Sequence, residues 1–449
     1  MRGKRNVFRD MKKIKNLLYS VFNNNCSIIN SRSILSPLTS HLSPLISSLI
    51  LLTSSIIPLP SSAQTSDSLI VHQMEAEGVT FSQGNSVKLL MSGRDKFADM
   101  FEAIRQAKSS VHLEYFNFRN DSIASLLFDI LREKRKEGVE IRAMFDGFGN
   151  DSNNQPLKKH HLEKLWADSI NIVEYDPIRF PWVNHIWPRD HRKIVVIDGE
   201  IAYTGGMNVT DYYIVGTEQV GEWRDMHCRI EGPVVNDLQT IFARIWKKAT
   251  KEELSDPKYY RGKPSGNKMV GIVNREPHIT NKIMRRLYIQ AIDDAQDSIR
   301  IINPYLTLIP SISKALKRAI KRGVKMEIMV SAKSDIPLTP DVVYRNAHKL
   351  MKRGATIWLY QPGFHHSKIM MVDGRFCTVG STNLDARSLR FDFEENALII
   401  NRETTKELDD MFDRDKQKSV VLTEEEWNRF RTGWQKFRGW FGSLLQPWL

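Results

Sequence analysis

From Asp95 onward, two hydrophobic periods alternate along the chain. In DKFADMFEAIRQAKSS, Phe97, Met100, Phe101 and Ile104 recur at helical spacing, and the VHLEYFNF run that follows is rich in β-branched and aromatic residues, predicting a strand. SIASLLFDILREKRKEG then predicts an amphipathic helix stopped at Gly138, and VEIRAMFD a strand ending at Asp146. The second half repeats this order: NKIMRRLYIQAIDDAQDS precedes IRIINPYL, SISKALKRAIKRG stops at Gly323, and VKMEIMV follows. Helices alternating with short apolar strands predict an α/β architecture whose sheets are covered on both faces.

A second pair of segments makes the duplication explicit. HRKIVVIDGEIAYTGGMN starts at His191 and HSKIMMVDGRFCTVGSTN at His366; counted from the histidine, both carry Lys at +2, Asp at +7, Gly at +8 and +14, and Asn at +17. On an extended segment, His and Lys two apart point to one side, with Ile194 to Ile197 and Ile369 to Val372 as buried strand behind them. Asp198-Gly199 and Asp373-Gly374 are tight-turn signals that return the chain as a second strand. Gly205-Gly206 and Gly380-Ser381 allow close backbone approach, and Asn208 and Asn383 add a neutral donor.

Each repeat thus offers an imidazole, an ammonium and an amide near one point. A lysine between its ligands would repel a divalent metal, so the set suits a phosphate and implies neither metal nor cofactor. Two such half-sites would place two histidines and two lysines around one phosphoryl group: one imidazole attacks phosphorus, the other protonates the leaving oxygen, and the cations and amides stabilise the remaining charge. A carboxylate behind each imidazole would fix its tautomer. Asp225 and Glu394 occupy matching places after the two repeats, with Glu222 and Glu395 as alternatives. His112, His160, His161, His185 and His365 have no partner in register and read as surface or pocket-lining groups.

Composition narrows the setting. The 449 residues are 41% hydrophobic and 26% charged, which excludes a collagen, a disordered tail or a polytopic membrane protein. Cys26, Cys228 and Cys377 share no metal-binding or disulfide-framework spacing. The formal net charge of +13 invites an anionic partner, but part of it lies in residues 1–63. There a basic start, an apolar stretch from Leu42 to Leu59 and SSAQ match an export signal cleaved after Ala63, or an uncleaved anchor with the same orientation. Setting aside its eight Lys and Arg and one Asp leaves 57 against 51, a surplus of six. The basic segments LREKRKEG and ALKRAIKRG read as solvated helix faces rather than nucleic-acid patches.

The paired H-x-K-x4-D segments, His191/Lys193/Asp198 and His366/Lys368/Asp373, resemble the phospholipase D superfamily. Within it, DHRKIVVIDGEIAYTGGMNVTDYY, WRDMHCRIEGPVV and GSTNLDARSLRFDFEENALI are similar to bacterial cardiolipin synthases. The resemblance implies two pseudo-twofold related domains, each a mixed sheet flanked by helices, over 64–265 and 266–449, with the active site at their junction. All six motif residues would be catalytic, His191 as nucleophile and His366 as acid; Asn208, Asn383, Gly205 and Ser381 would bind substrate, and Asp225 and Glu394 would orient the histidines. The implied reaction passes a phosphatidyl group from one phosphatidylglycerol to another through a phosphohistidine, on an anionic membrane, most simply the periplasmic face of a bacterial inner membrane. The family usually begins with two membrane-spanning segments, whereas one signal-like segment stands here. A hydrolase with water as acceptor, an exported nuclease and an inactive lipid-binding protein are the competing readings; the intact motifs and the small residual charge count against the last two.

Two aromatic regions bear on membrane contact. Phe180, Trp182 and Trp187 lie in an insertion before His191, placed to line the site mouth or touch lipid. At the C-terminus, Trp427, Phe430, Trp434, Phe437, Phe441, Leu444 and Trp448 recur at spacings of 3 and 4 with Arg429, Arg431, Lys436 and Arg438 between them. That pattern predicts one apolar stripe on a basic helix, which either lies in an anionic interface or packs on its own domain.

Overall fold

The computed structural model describes residues 62–178, 187–335 and 339–444. Residues 1–61 of the expected export segment, which include Cys26, lie outside them, as do Phe180, Trp182, His185 and Trp448. In the first half the strands are β1 (Phe81–Leu90), β2 (Ser110–Tyr115), β3 (Glu140–Asp146), β4 (Asn171–Tyr175), β5 (Ile194–Ile197), β6 (Ile201–Gly205), β7 (Glu222–Arg224) and β8 (His227–Glu231). The second half supplies β9 (Lys268–Arg275), β10 (Ser298–Ile302), β11 (Lys325–Ser331), β12 (Thr356–Tyr360), β13 (Gly363–His365), β14 (Ile369–Val372), β15 (Phe376–Gly380), β16 (Glu394–Ile400) and β17 (Ser419–Val421).

The local signals act as the periodicity predicts. Ser92 caps the helix Gly93–Arg105 by accepting from the Asp95 N–H, and Asp121 caps Ser122–Lys136 through the Ala124 N–H. Gly138 and Gly323 end their helices with φ of 91° and 92°, a conformation that favours glycine. β2, β5 and β14 are buried along their whole length, as strands covered on both faces must be. The helix Ser62–Ala76 has no counterpart in the sequence reading; its Ile70 and Met74 are fully buried.

Among the described residues, fifteen strands form one mixed sheet in the order β17-β12-β11-β10-β14-β15-β16-β9-β1-β8-β6-β5-β2-β3-β4. Read outward from its middle, the order is β1-β8-β6-β5-β2-β3-β4 on one side and β9-β16-β15-β14-β10-β11-β12 on the other, so the two repeats are equivalent strand for strand. They meet where β1 pairs antiparallel with β9, through Phe81↔Gly271 and Ser82↔Val270. A shared hydrophobic cluster runs beneath this seam. It joins Val87, Ile194 and Ile230 to Val270, Ile369 and Ile399, covered by Leu238 and Ile241 of the helix Val235–Thr250 and by Leu408 and Phe412 of Arg402–Lys416. Burying each such side chain contributes roughly 1.5–3 kcal/mol, and Ser66–Leu449 accordingly forms one compact unit.

Among the described residues no helix is long and apolar enough to cross a membrane. The C-terminal stripe is divided rather than continuous. Glu424–Phe430 and Gly433–Gly442 are separate helices, because Thr432 starts the second with a capping box in which its side chain accepts from the Gln435 N–H and Gln435 accepts from the Thr432 N–H. Trp427 turns inward and stacks on His348 at 4.3 Å.

Candidate active site

The two motif histidines are built alike. His191 lies three residues before the start of β5 and His366 three before the start of β14, and the main-chain N–H of each donates to the other repeat: His191 to the Phe393 carbonyl at 3.1 Å, His366 to the Arg224 carbonyl at 2.6 Å. A parallel pairing supports each crossing, Asp190 with Phe393 in one case and β13 with β7 in the other. The residue after each accepting carbonyl is the carboxylate. Glu394 Oε1 lies 3.0 Å from His191 Nδ1, and Asp225 Oδ2 lies 2.7 Å from His366 Nδ1. Both orienting carboxylates expected from the sequence therefore face an imidazole, each in the opposite repeat. With Nδ1 held by a carboxylate, Nε2 of each ring is the nitrogen that no carboxylate engages.

The lysines sit inside this frame. Lys193 and Lys368 are buried, and each ammonium donates to the carbonyl of its own motif histidine, Lys368 at 2.5 Å. Lys368 Nζ also lies 2.9 Å from His366 Nε2. Asn208 and Asn383 are buried with the same unmet need: the side-chain oxygen of each has no hydrogen-bond partner within the protein. An unsatisfied buried amide at the same position of both repeats suits a site that a ligand completes.

Four other expected site residues have a different job. Asp198 accepts from the N–H groups of Lys108, Ser109 and Ser110 at 2.7, 2.7 and 2.9 Å, and Asp373 from those of Gln296, Asp297 and Ser298 at 2.9, 2.8 and 2.8 Å. Each stands at the end of its strand remote from the histidine, so it fixes the hairpin instead of touching the reacting atoms. Gly205 packs against main chain, where an added Cβ would lie 2.6 Å from the Met226 carbonyl oxygen; at Gly206 the same atom would lie 2.3 Å from Asp225 Oδ1. Gly206 thus makes room for the Asp225 carboxylate, and Gly205 for the main chain of Met226 and His227. Ser381 donates to Glu394, orienting it and leaving no hydroxyl proton for a substrate. Of the alternatives, Glu395 accepts from Thr204 Oγ1 at 2.6 Å and sits beside Glu394, while Glu222 is 3.5 Å from the Tyr360 hydroxyl.

The surroundings distinguish the two halves. His191 is flanked by Phe116 at 5.2 Å, and burial, then Lys193, Lys368 and Arg387, push it well below the usual imidazole range. Burial and Lys368 also lower His366, but Asp225 and Asp335 oppose them. Phe364, Trp223 and Tyr305 enclose that ring at 5.4, 5.7 and 6.0 Å, and the Tyr305 hydroxyl donates to Asp335 at 2.8 Å. Burial raises Glu394 to about 7, against the pull of Lys193. Burial works the same way on Asp225, but Lys368 and His366 overcome it and hold that carboxyl below its ordinary range. At neutral pH Asp225 therefore stands beside His366 as a full carboxylate, whereas Glu394 beside His191 is only partly ionised.

Arg387, Trp223, Tyr305 and Asp335 were not singled out by sequence reasoning, since none has a partner in the repeat register. His112 and His365, read there as surface or pocket-lining, are core residues instead: His112 stacks on Phe242 at 4.7 Å, and His365 Nε2 lies 3.2 Å from Asp415. Trp187 stacks on Phe391 at 5.7 Å. Among the described residues no group of His, Cys, Asp and Glu side chains is arranged to hold a metal ion.

Comparison with known proteins adds the family. The family model described as "Cardiolipin synthase, PLD-like domain" matches residues 100–246 and 288–416, once in each repeat. A cardiolipin synthase of Oceanobacillus iheyensis is 34% identical over 382 residues, covering 85% of this chain and 78% of the relative. One of Listeria welshimeri is 32% identical over 393 residues, covering 86% and 80%. Among solved structures, phosphatidylserine synthase of Haemophilus influenzae matches with a TM-score of 0.67 at 16% identity, over 85% of this chain and all of that one, a likeness of fold. Polyphosphate kinase of Porphyromonas gingivalis shares the fold more distantly, with a TM-score of 0.52 at 12% identity over 76% of this chain and 49% of that one. With a domain match in each repeat, and relatives aligned across both, the chain belongs to the phospholipase D-like cardiolipin synthase family.

Proposed function

We propose that this enzyme transfers a phosphatidyl group from one phosphatidylglycerol to the terminal hydroxyl of a second, giving cardiolipin and glycerol. The observation that carries the chemistry is the crossed pair of His–carboxylate contacts, which presents two imidazoles beside unequal carboxylates and two buried lysines. The relatives named as cardiolipin synthases support the choice of substrate. The domains 64–265 and 266–449 would each supply half of the site, and residues 1–63 would deliver the enzyme to the periplasmic face of the inner membrane.

His191, biased toward its neutral form, attacks the donor phosphorus through Nε2. The bond from phosphorus to the glycerol oxygen breaks, and that oxygen takes a proton from His366. Lys193 and Lys368, with the side-chain N–H groups of Asn208 and Asn383, donate to the non-bridging oxygens. Lys368 leans on His366 Nε2; a phosphate that draws the ammonium toward itself removes the charge that, after burial, depresses His366 and so favours protonation of the ring. In the second half His366, now neutral, accepts the proton of the acceptor hydroxyl as its oxygen attacks the phosphatidyl-His191, and the histidine leaves.

The test is purified full-length protein with phosphatidylglycerol liposomes, products separated by thin-layer chromatography. Cardiolipin and glycerol in equal amounts are expected, and His191→Ala and His366→Ala should each abolish them. Phosphatidic acid as sole product would replace the transferase reading with a hydrolase.

A further inference from the structure

The helix Gly433–Gly442 is mounted back to front for a helix that serves its own core. Gly439 and Gly442 face the helix Thr339–Met351: an added Cβ would meet the Asp341 carbonyl oxygen at 2.4 Å in one case and Val342 Cγ2 at 2.7 Å in the other. Arg438 forms an ion pair with Asp341, its Nη2 2.6 Å from Oδ2, and Arg431 pairs with the same carboxylate, so one buried Asp clamps the segment at two points. The large residues point away. Trp434, Phe437, Trp440, Phe441 and Leu444 retain between 46% and 64% of their surface exposed. Three of them form a ladder, with Trp434 and Phe437 centroids 5.5 Å apart and Phe437 and Trp440 5.8 Å apart. A terminal helix packed for stability would bury these rings and expose its glycines.

The surface beside the ladder is basic. Arg345 adjoins Gly439, its Cβ 3.6 Å from where a glycine side chain would begin. Lys349, one turn on, is held below its ordinary range by burial and then by Arg345, Lys317 and Arg353, a crowd of like charge that no acidic side chain among the named neighbours relieves. Lys317 comes from the neighbouring helix Pro310–Arg322, which has basic but no acidic residues.

This face also lies close to the site. The clamp residue Asp341 is six residues from Asp335, whose carboxylate holds the Tyr305 hydroxyl next to His366; even fully extended, six residues span at most about 22 Å.

We propose that Trp434, Phe437, Trp440, Phe441 and Leu444 insert into the interface of an anionic bilayer, with Arg345, Lys349, Arg353 and Lys317 engaging its phosphates. Amphipathic aromatic rings prefer that depth, and the cations supply the selectivity for anionic lipid. Exposed apolar surface gathered on one helix, with cations on the adjoining helices, fits a lipid surface better than a second copy of the chain, whose identical basic patch would meet its own charge.

The experiment uses the full-length protein with Cys26→Ser and Phe441→Cys, labelled with an environment-sensitive fluorophore, and a control labelled at Trp166→Cys. Vesicles containing phosphatidylglycerol should shift the Phe441→Cys probe to the blue and expose it to quenching by nitroxide lipids, leaving the control unchanged. Vesicles of phosphatidylcholine alone should require about tenfold more lipid or worse for the same shift, and Lys317→Gln with Lys349→Gln should erase that difference. Trp434→Ala with Phe437→Ala and Trp440→Ala should lower turnover on vesicles about tenfold or more while sparing turnover in detergent micelles. His191→Ala should give the same probe shift as the parent, so a failure of the proposed catalysis and a failure of docking are separate results. An unchanged probe on phosphatidylglycerol vesicles overturns the proposal, as does a lipid-independent shift that grows with protein concentration alongside a doubled mass, which would assign the face to a second copy.

Discussion

Asp225 and His366 lie 2.7 Å apart although they belong to different repeats, and the reciprocal contact joins Glu394 to His191 at 3.0 Å. Neither motif histidine finds its carboxylate within its own repeat. The two contacts are not equivalent, since Asp225 is held ionised and Glu394 is raised to about 7.

That inequality predicts unequal mutants. Asp225→Asn removes a full charge from the ring that must donate a proton and should lower kcat/KM by about 10²–10⁴. Glu394→Gln keeps an acceptor for Nδ1 of a ring already biased neutral, so a loss of about tenfold or less is expected. Steady-state rates on phosphatidylglycerol vesicles decide; equal losses would remove the assignment of roles to the two histidines.

A donor with a good leaving group separates the same roles in time. A phosphodiester of p-nitrophenol needs no acid, so His366→Ala should release a burst of about one nitrophenolate per enzyme and then stall, while His191→Ala should release none. A burst in the His191 variant and none in the other would reverse the order of attack.

Asp198 and Asp373 should prove structural. Replacing either by Asn removes one of the two carboxyl oxygens that accept from three main-chain N–H groups, at a cost of about 1–3 kcal/mol. The denaturation midpoint should fall while kcat/KM of the remaining folded enzyme stays within about threefold. Loss of activity at unchanged stability would return these residues to the chemistry.

Stability should also fall as the solution becomes alkaline. Burial raises Glu394 to about 7 and Glu395 to about 8, from an ordinary 4.5. A carboxyl whose folded value is raised binds its proton more tightly in the native state. Its contribution is thus fully present below the unfolded value and disappears as pH rises through the folded one. Tm is expected to decline between about pH 5 and pH 8, and Glu395→Gln, which cannot ionise, should flatten the decline. A parallel decline in the variant would assign it to other groups.

How much of this was legible varied with the distance over which each residue acts. The strands and helices of both repeats follow periods of two and 3.6, and those positions became elements almost as read. Asp225 and Glu394 could be found by their equivalent places, but their exchange of partners could not, because it depends on Phe393 and Arg224 pairing with main chain of the opposite repeat. Asp198 and Asp373 looked catalytic because they recur with the histidines. A four-residue strand of roughly 13 Å separates each from its histidine, and the repeat records that hairpin as faithfully as it records the chemistry. The C-terminal stripe kept its spacing across a helix break that the Thr432 capping box signals, so its first residues turned inward and its later ones outward.

The seam between β1 and β9 carries a consequence for how lipids come and go. Because the sheet runs unbroken from one repeat into the other, swinging the halves apart would tear main-chain ladders and the cluster beneath them. The spacing of the two histidines is therefore set once, when the chain folds, and is not readjusted at each turnover. A hinge at this seam is therefore not the route of substrate exchange, and the enzyme behaves as a fixed anvil to which donor and acceptor headgroups come in turn.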